Sequence, residues 1–237
     1  MANAICIVGE SGSGKSSSLA PIPELGLKGL NPKETFIINI KGKPLPIKGW
    51  KKQYKEIDIT KPPIEGNYLA TTNTELIVKT INYINSNRSD IKNVVIDDFQ
   101  YQMSEEYISK ALQTGFTKFN VMAKNAYDII NVGLNMSADK NFIVLTHSEE
   151  DNGKTKIKTI GKMLDSAVNL AGLFTIVLYT QVLIDKGVSK YYFVTNASSD
   201  GETKITAKSP FGMFDELLVP NDLGEVLEKV EKYYSGE

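Results

Sequence analysis

The most constraining stretch of this chain is "AICIVGESGSGKSSSLAPIP", residues 4–23. An apolar run stops at Gly9, small and polar residues follow, and Gly14, Lys15 and Ser16 complete the pattern G-x-x-x-x-G-K-[ST]. That order suits a buried strand, a tight turn of nearly bare backbone, and then a helix. The glycines let the turn aim successive N–H groups inward as an anion nest. A helix starting near Gly14 adds unpaired N–H groups and the positive end of its dipole, although Pro21 and Pro23 limit it to roughly two turns. Gly9, Glu10, Ser11, Gly12, Ser13, Gly14, Lys15, Ser16 and Ser17 are therefore the candidate cradle for a triphosphate. Lys15 is placed to reach the β- and γ-phosphates and Ser16 to offer its hydroxyl to Mg²⁺, so ATP with Mg²⁺ is the expected ligand.

The rest of the chain supplies a sheet for that strand. Apolar, β-branched runs recur at 35–40 ("TFIINI"), 93–97 ("NVVID") and 141–146 ("NFIVLT"). They are short and do not alternate with polar residues, which predicts parallel strands buried on both faces. Between them, helical spacing of apolar residues covers 74–84 and 104–136, the second stretch broken near Gly115. This is an α/β pattern with right-handed crossovers. After residue 165 come "LFTIVLYTQVLI", "KYYFVTN" and "TKITAK", separated by "DKG" and "SSDGE". These predict hairpins and antiparallel strands added at one edge. The tail from 221 predicts a capping helix with Asp222 as its N-cap.

With 237 residues, 41% of them hydrophobic, and no linker between two cores, residues 1–237 are expected to form a single domain. A formal net charge of −1 gives no whole-molecule field for nucleic acid or membrane, so a polyanion site has to be a local patch. The single cysteine, Cys6, sits inside an apolar run and predicts a buried, inert thiol in a reducing compartment. No apolar run approaches the roughly 20 residues that cross a bilayer, and the expected location is the cytosol, without membrane contact.

Further candidates lie at strand ends. Asp97 closes "KNVVIDDFQY" and is placed to hold Mg²⁺ through water. Asp98 follows as either the carboxylate that polarises the attacking water or part of a strand-ending turn. Thr146 and His147, where "NFIVLTHSEED" turns polar, are candidates for contact with the γ-phosphate. In "SEEDNGKTKIKTIGKM", Lys154, Lys156, Lys158 and Lys162 can track the phosphates of single-stranded DNA, or "KTKIK" can be a hairpin edge protected by lysine. "KGKPLPIKGWKKQYK" carries lysines, no acid, and interleaved Trp50 and Tyr54. It is either a backbone-tracking and stacking surface or a basic loop with Trp50 partly buried.

Taken in order, "GESGSGKSS", "TFIINIKGKPLP", "KNVVIDDFQY", "NFIVLTHSE", "TIGKMLD", "KSPFGMF" and "VPNDL" resemble the phage-encoded RecA-like P-loop ATPases. These are AAA-type phage nucleotide-binding proteins of single-strand annealing and recombination. The resemblance extends from residue 9 to about residue 222 and implies a RecA-like P-loop NTPase fold. It also implies self-association with ATP at the subunit edge, contact with single-stranded DNA, and a single-strand-binding protein as a possible partner. It gives Lys208 the role of a cation sent into a neighbour's ATP site. Where the family's motif continues with arginine, this chain has Pro210, so one such charge is missing. The glutamate that RecA carries after the corresponding strand is also absent, this chain offering Asn39, Lys41 and Lys43 there, so the base is Asp98, a nearby acid such as Glu149, or nothing efficient, with Asp98 favoured. A nucleotide-gated binding or assembly module with little hydrolysis is the alternative. A small-molecule kinase is disfavoured, because Arg88 is the only arginine available to clamp a transferred phosphoryl group.

Overall fold

The apolar runs become strands whose side chains alternate between two cores. Ala4, Cys6 and Val8 join one cluster of buried residues and Ile5 and Ile7 the other, as a period of two requires when both faces are covered. The computed structural model describes residues 1–58, 61, 65–160, 169–199 and 204–236. Its strands are β1 (Asn3–Gly9), β2 (Thr35–Asn39), β3 (Tyr68–Ala70), β4 (Asn93–Asp97), β5 (Asn141–Asp151), β6 (Lys154–Ile157), β7 (Ile176–Asp185), β8 (Val188–Val194), β9 (Ser198–Ser199), β10 (Lys204–Ile205) and β11 (Leu218–Pro220). The helices are α1 (Trp50–Gln53), α2 (Thr74–Asn87), α3 (Gln100–Ser109), α4 (Thr117–Leu134), α5 (Leu170–Leu173) and α6 (Leu223–Ser235).

The main sheet runs β11-β8-β7-β1-β5-β4-β2-β3. From β7 to β3 every pairing is parallel, while β8 and β11 extend the β7 edge in antiparallel steps. This is the expected architecture: a mainly parallel central sheet flanked by helices, with antiparallel strands at one edge. In register, Gly9 of β1 lies opposite His147 of β5, and Asn39 of β2 lies opposite Asp97 of β4. Four strands therefore deliver polar or bare residues to one end of the sheet, where open α/β sheets bind ligands.

Helices α2 and α4 cover one face through Ile77, Ile81, Ile84, Ala126, Ile129 and Ile130. The other face is closed by α6 through Leu223, Val226 and Val230. The stretch 104–136 does form two helices, with Gly115 between them at φ +85°. Among the described residues no helix is long and apolar enough to cross a membrane. Cys6 is buried, and desolvation raises its thiol pKa well above the ordinary value.

Two expectations need correcting. The strand expected over 141–146 continues to Asp151 and folds back as β6, so the polar segment after His147 begins as a hairpin. The strand expected over 203–208 is reduced to β10 and a bridge between Lys208 and Val177. Lys162, most of "TIGKMLD" and most of "SSDGE" lie outside the described residues.

One close contact gives a direct test of the packing. A Cβ added at Gly133 of α4 would lie 2.3–2.4 Å from the ring atoms of Phe142 in β5, a side chain with no exposure. Alanine favours a helix over glycine by about 1 kcal/mol, but forcing a methyl into a filled core costs about 1–3 kcal/mol. With three ring atoms of a buried side chain closer than 3 Å, the upper part of that range applies, and about 1–2 kcal/mol of destabilisation remains. Gly133→Ala is expected to lower Tm by about 2–8 °C in a thermal melt, and an unchanged Tm would mean that the ring can move aside.

Candidate nucleotide site

The loop after β1 has the backbone that its glycines permit. Gly12 and Gly14 adopt φ of +78° and +94°, a region that favours glycine. Ser13 Oγ donates to the Glu10 carbonyl at 2.7 Å and receives Thr180 Oγ1 of β7 at 2.6 Å, which ties the loop to the neighbouring strand. Lys15 is buried, and its Nζ donates to the carbonyls of Gly9 at 2.8 Å and Glu10 at 2.6 Å. Burial pushes its pKa down to about 8, against the opposing pull of Asp98 and Asp97. The loop is thus closed around its own lysine.

The expected two-turn helix is absent. Ser16–Leu19 form a single four-residue 3-10 turn that ends at Ala20, whose extended ψ of 130° is what a residue before proline prefers. Most of the anion nest must come from the loop's own N–H groups, with little help from a helix dipole.

Ser16 and Asp97 meet at the floor of the site: Ser16 Oγ donates to Asp97 Oδ1 at 2.8 Å. Asp97 is buried, and desolvation together with the charge of Asp98 raises its pKa to about 6. A hydroxyl and a carboxylate side by side are hard oxygen donors of the kind Mg²⁺ takes, so this pair fits the ion.

Asp98 takes a left-handed φ of +61°, uncommon without glycine but more accessible to aspartate than to most residues. This turns its carboxylate out of the strand, 2.9 Å from Lys43 Nζ and 3.4 Å from His147 Nε2. Burial opposes the charge on Asp98, but the contacts with His147 and Lys43 hold its pKa below the ordinary value. The His147 ring meets Tyr101 edge-on at 5.6 Å, and Lys43 Nζ lies 4.7 Å from the Tyr101 ring centroid.

Lys15, Ser16, Lys43, Asp97, Asp98 and His147 share a cleft of about 960 Å³. Gly12, Gly14, Lys15, Ser16, Asp97, Asp98 and His147 line its phosphate end. Tyr191 and Asn221 border it beside Gly14, and Ile22, Leu25 and Leu27 line it as well. Compared with known proteins, the chain matches no family model and no curated sequence. Among solved structures, it is similar to a KaiC-like protein from the hyperthermophilic archaeon Pyrococcus horikoshii. The identity is 12%, the match covers 85% of this chain and 83% of that chain, and the TM-score is 0.44. That likeness leaves the chemistry to the chain's own residues.

Not every expected residue reaches the cleft. Thr146 is buried, with its hydroxyl unpartnered, and it does not line the cleft; adjacent strand residues face opposite ways, and His147 takes the cleft side. Lys208 pairs through its backbone with Val177, opposite Cys6, three residues before the phosphate end of β1. It is half-buried, desolvation lowers its pKa, and it does not line the cleft of its own chain.

Lys154 and Lys156 stand on β6 opposite Asp151 and Glu149. The Lys156 ammonium lies 3.4 Å from Glu149 and 3.2 Å from Asp151, so its charge is largely offset, while Lys154 and Lys158 are exposed. The Lys158 N–H donates to the His147 carbonyl at 2.8 Å, joining this hairpin directly to the cleft. The basic stretch 41–55 is not a stacking platform. Tyr54 is buried and Trp50 packs on Tyr68 at 5.3 Å, which leaves the partly buried tryptophan of the plainer reading.

The cleft also contains residues that sequence reasoning missed as site residues. In the sequence Lys43 stands in a basic run and where RecA carries its glutamate, and Tyr191 in an aromatic strand, without either being singled out as a site residue. Asn221 carried no signal beyond "VPNDL"; its buried amide Nδ2 has no partner, and the amide sits 3.2–3.3 Å from where a Cβ on Gly14 would be.

Proposed function

We propose that this chain is a Mg²⁺-dependent ATPase, residues 1–237 forming one domain, that acts on single-stranded DNA in the phage recombination or annealing setting its sequence resembles. The carrying observation is the 2.8 Å contact of Ser16 with Asp97 beside the buried Lys15. It places a hydroxyl, a carboxylate and an ammonium at the closed end of a cleft large enough for a nucleotide. Ser16 and Asp97 would hold Mg²⁺, which when bound neutralises charge on the phosphate oxygens. Lys15 would exchange the Gly9 and Glu10 carbonyls for phosphate oxygens. The apolar side chains of Ile22, Leu25 and Leu27, with the Tyr191 ring and the Asn221 amide, suit a nucleoside. A second copy could add Lys208 at the subunit edge.

The DNA half rests on the hairpin. Exposed Lys154 and Lys158 flank Lys156 on an arm hydrogen-bonded to the backbone of His147, so a change at the phosphate end has a short path to the lysines. Calorimetry with ATP and ADP, with and without Mg²⁺, tests the first half. Fluorescence anisotropy with a labelled oligonucleotide over a salt series tests the second. Binding is expected to depend on the nucleotide and to weaken with salt. Each lysine removed at 154 or 158 should lower the log–log salt slope by about 0.7. Nucleotide binding with DNA affinity indifferent to both salt and these lysines would remove DNA from the reading.

One observation favours the alternative of a nucleotide-gated assembly module that hydrolyses little: Asp98 is engaged by both Lys43 and His147. A single-turnover ATPase assay with and without DNA separates the two. The kinase reading loses support, because Arg88 is committed to Asp90 and the Gly66 carbonyl and lies outside the cleft.

A further inference from the structure

Lys43 is held at the acidic end of the cleft by more than its own ion pair. Asn39, which ends β2 opposite Asp97, is buried and grips the next turn twice. Its Nδ2 donates to the Lys43 carbonyl at 2.8 Å, and its Oδ1 accepts the Gly42 N–H at 2.8 Å. Beyond Lys43, Leu45 and Ile47 are buried, each preceded by a proline that restricts the backbone. The backbone at Lys43 is thus preset, and the free part is the side chain, half exposed and reaching Asp98 and the Tyr101 face.

Two cations consequently approach the phosphate end from different sides: Lys15 from the loop after β1 and Lys43 from the loop after β2, both lining the same cleft. They lie near enough that the charge of Lys43 contributes to the lowered pKa of Lys15. The sole arginine is engaged elsewhere, and Pro210 stands where the resembled family sends an arginine across a subunit edge.

We infer that Lys43 is the cation that meets the terminal phosphate from within the chain, and that its transfer from Asp98 to that phosphate leaves Asp98 and His147 to orient the attacking water. The inference rests on the ATPase reading and deepens it. The lysine side chain of this pair is half exposed while Asp98 is mostly buried, so the ammonium is the partner free to move, and a phosphate bearing more charge than Asp98 can draw it away. In the step it serves, the water oxygen bonds to the γ-phosphorus as the bond to the bridging oxygen breaks. That electron pair leaves with ADP, and the water's proton passes to the inorganic phosphate or to solvent. Lys43 stabilises the equatorial oxygens while charge is redistributed over them.

The test compares wild type with Lys43→Met, which keeps the stem and drops the charge, and with Lys43→Arg. Calorimetry gives affinities for ADP and for a non-hydrolysable ATP analogue, and single-turnover measurements give the rate. Lys43→Met is expected to bind ADP within about twofold of wild type, lose about tenfold in affinity for the ATP analogue, and slow by about 100-fold or more. Lys43→Arg should recover much of the preference for triphosphate. A Lys43→Met variant that keeps the wild-type preference for triphosphate over diphosphate would overturn the inference, as would one that loses ADP and ATP binding equally. If wild type itself binds neither nucleotide, the ATPase reading fails first. The affinity ratio decides the matter even if wild-type turnover is slow.

Discussion

Lys15→Ala should fold normally and fail to bind ATP. Among the described residues the ammonium donates to two carbonyls, those of Gly9 at the end of β1 and of Glu10, at 2.8 and 2.6 Å. In a nucleotide complex the same group would make charge-assisted bonds to phosphate, each among the stronger hydrogen bonds in proteins. Its loss is expected to weaken ATP binding by at least about 100-fold, or roughly 2.7 kcal/mol. Stability should move the other way or not at all. The folded pKa of Lys15 lies at about 8, below the ordinary lysine value of 10.5, because burial disfavours the charge. Between these values the unfolded chain holds the additional proton, so this lysine makes wild-type stability rise as pH goes from about 8 towards 10.5. The alanine variant should lack that contribution, and near pH 7 its Tm should equal or exceed that of wild type. Calorimetry with Mg²⁺ and ATP, together with melts across that pH window, checks both. Binding within a few-fold of wild type would refute the assignment of this loop as a phosphate cradle.

How much of this was legible depended on how local each signal was. Strands β1, β2 and β4 announce themselves as uninterrupted β-branched runs because helices cover both faces and no position needs a polar residue. β3 and β11 are three residues each at the sheet margins, too short to show a period. The end of β5 was missed because "HSEED" is a half-exposed hairpin arm without an apolar face. The cradle from Gly9 to Ser17 and the strand-ending Asp97 carry their signal within a few consecutive residues. Lys43, Asn221 and Tyr191 arrive from distant segments through strand register and crossover, so no local spacing could reveal them. The helix after the loop was overestimated for a local reason as well: a proline limits the residue before it, not only its own position.

The wall that brings Asn221 to the cleft is fastened by the next residue, Asp222, and its removal should be among the costliest single changes. Asp222 was expected only as the N-cap of α6, and its Oδ1 does accept the Gly224 N–H at 2.9 Å, with Glu225 N more distant at 3.5 Å. The same carboxylate reaches across to the segment before β2, accepting the Gly29 N–H at 2.9 Å and the Lys28 N–H at 2.7 Å. The two segments are pressed together: a Cβ on Gly224 would come within 2.2 Å of the Gly29 carbonyl oxygen, so water has little space to replace the lost acceptor. Losing a cap costs about 1 kcal/mol, and each buried N–H left without a partner costs about 1–3 kcal/mol. Asp222→Ala is therefore expected to lose about 2–4 kcal/mol, measured by urea unfolding at constant m. Asp222→Asn should fall between, because its amide oxygen can still serve Gly29 and Gly224 while its NH₂ faces the Lys28 donor. Because the segment through Lys28 and Gly29 continues from Ile22, Leu25 and Leu27, the alanine variant should also weaken nucleotide binding, through loss of order in the part of the cleft lining that those three residues form. A loss below about 1 kcal/mol would mean that Asp222 acts as a helix cap alone and that the cleft wall is held by apolar packing.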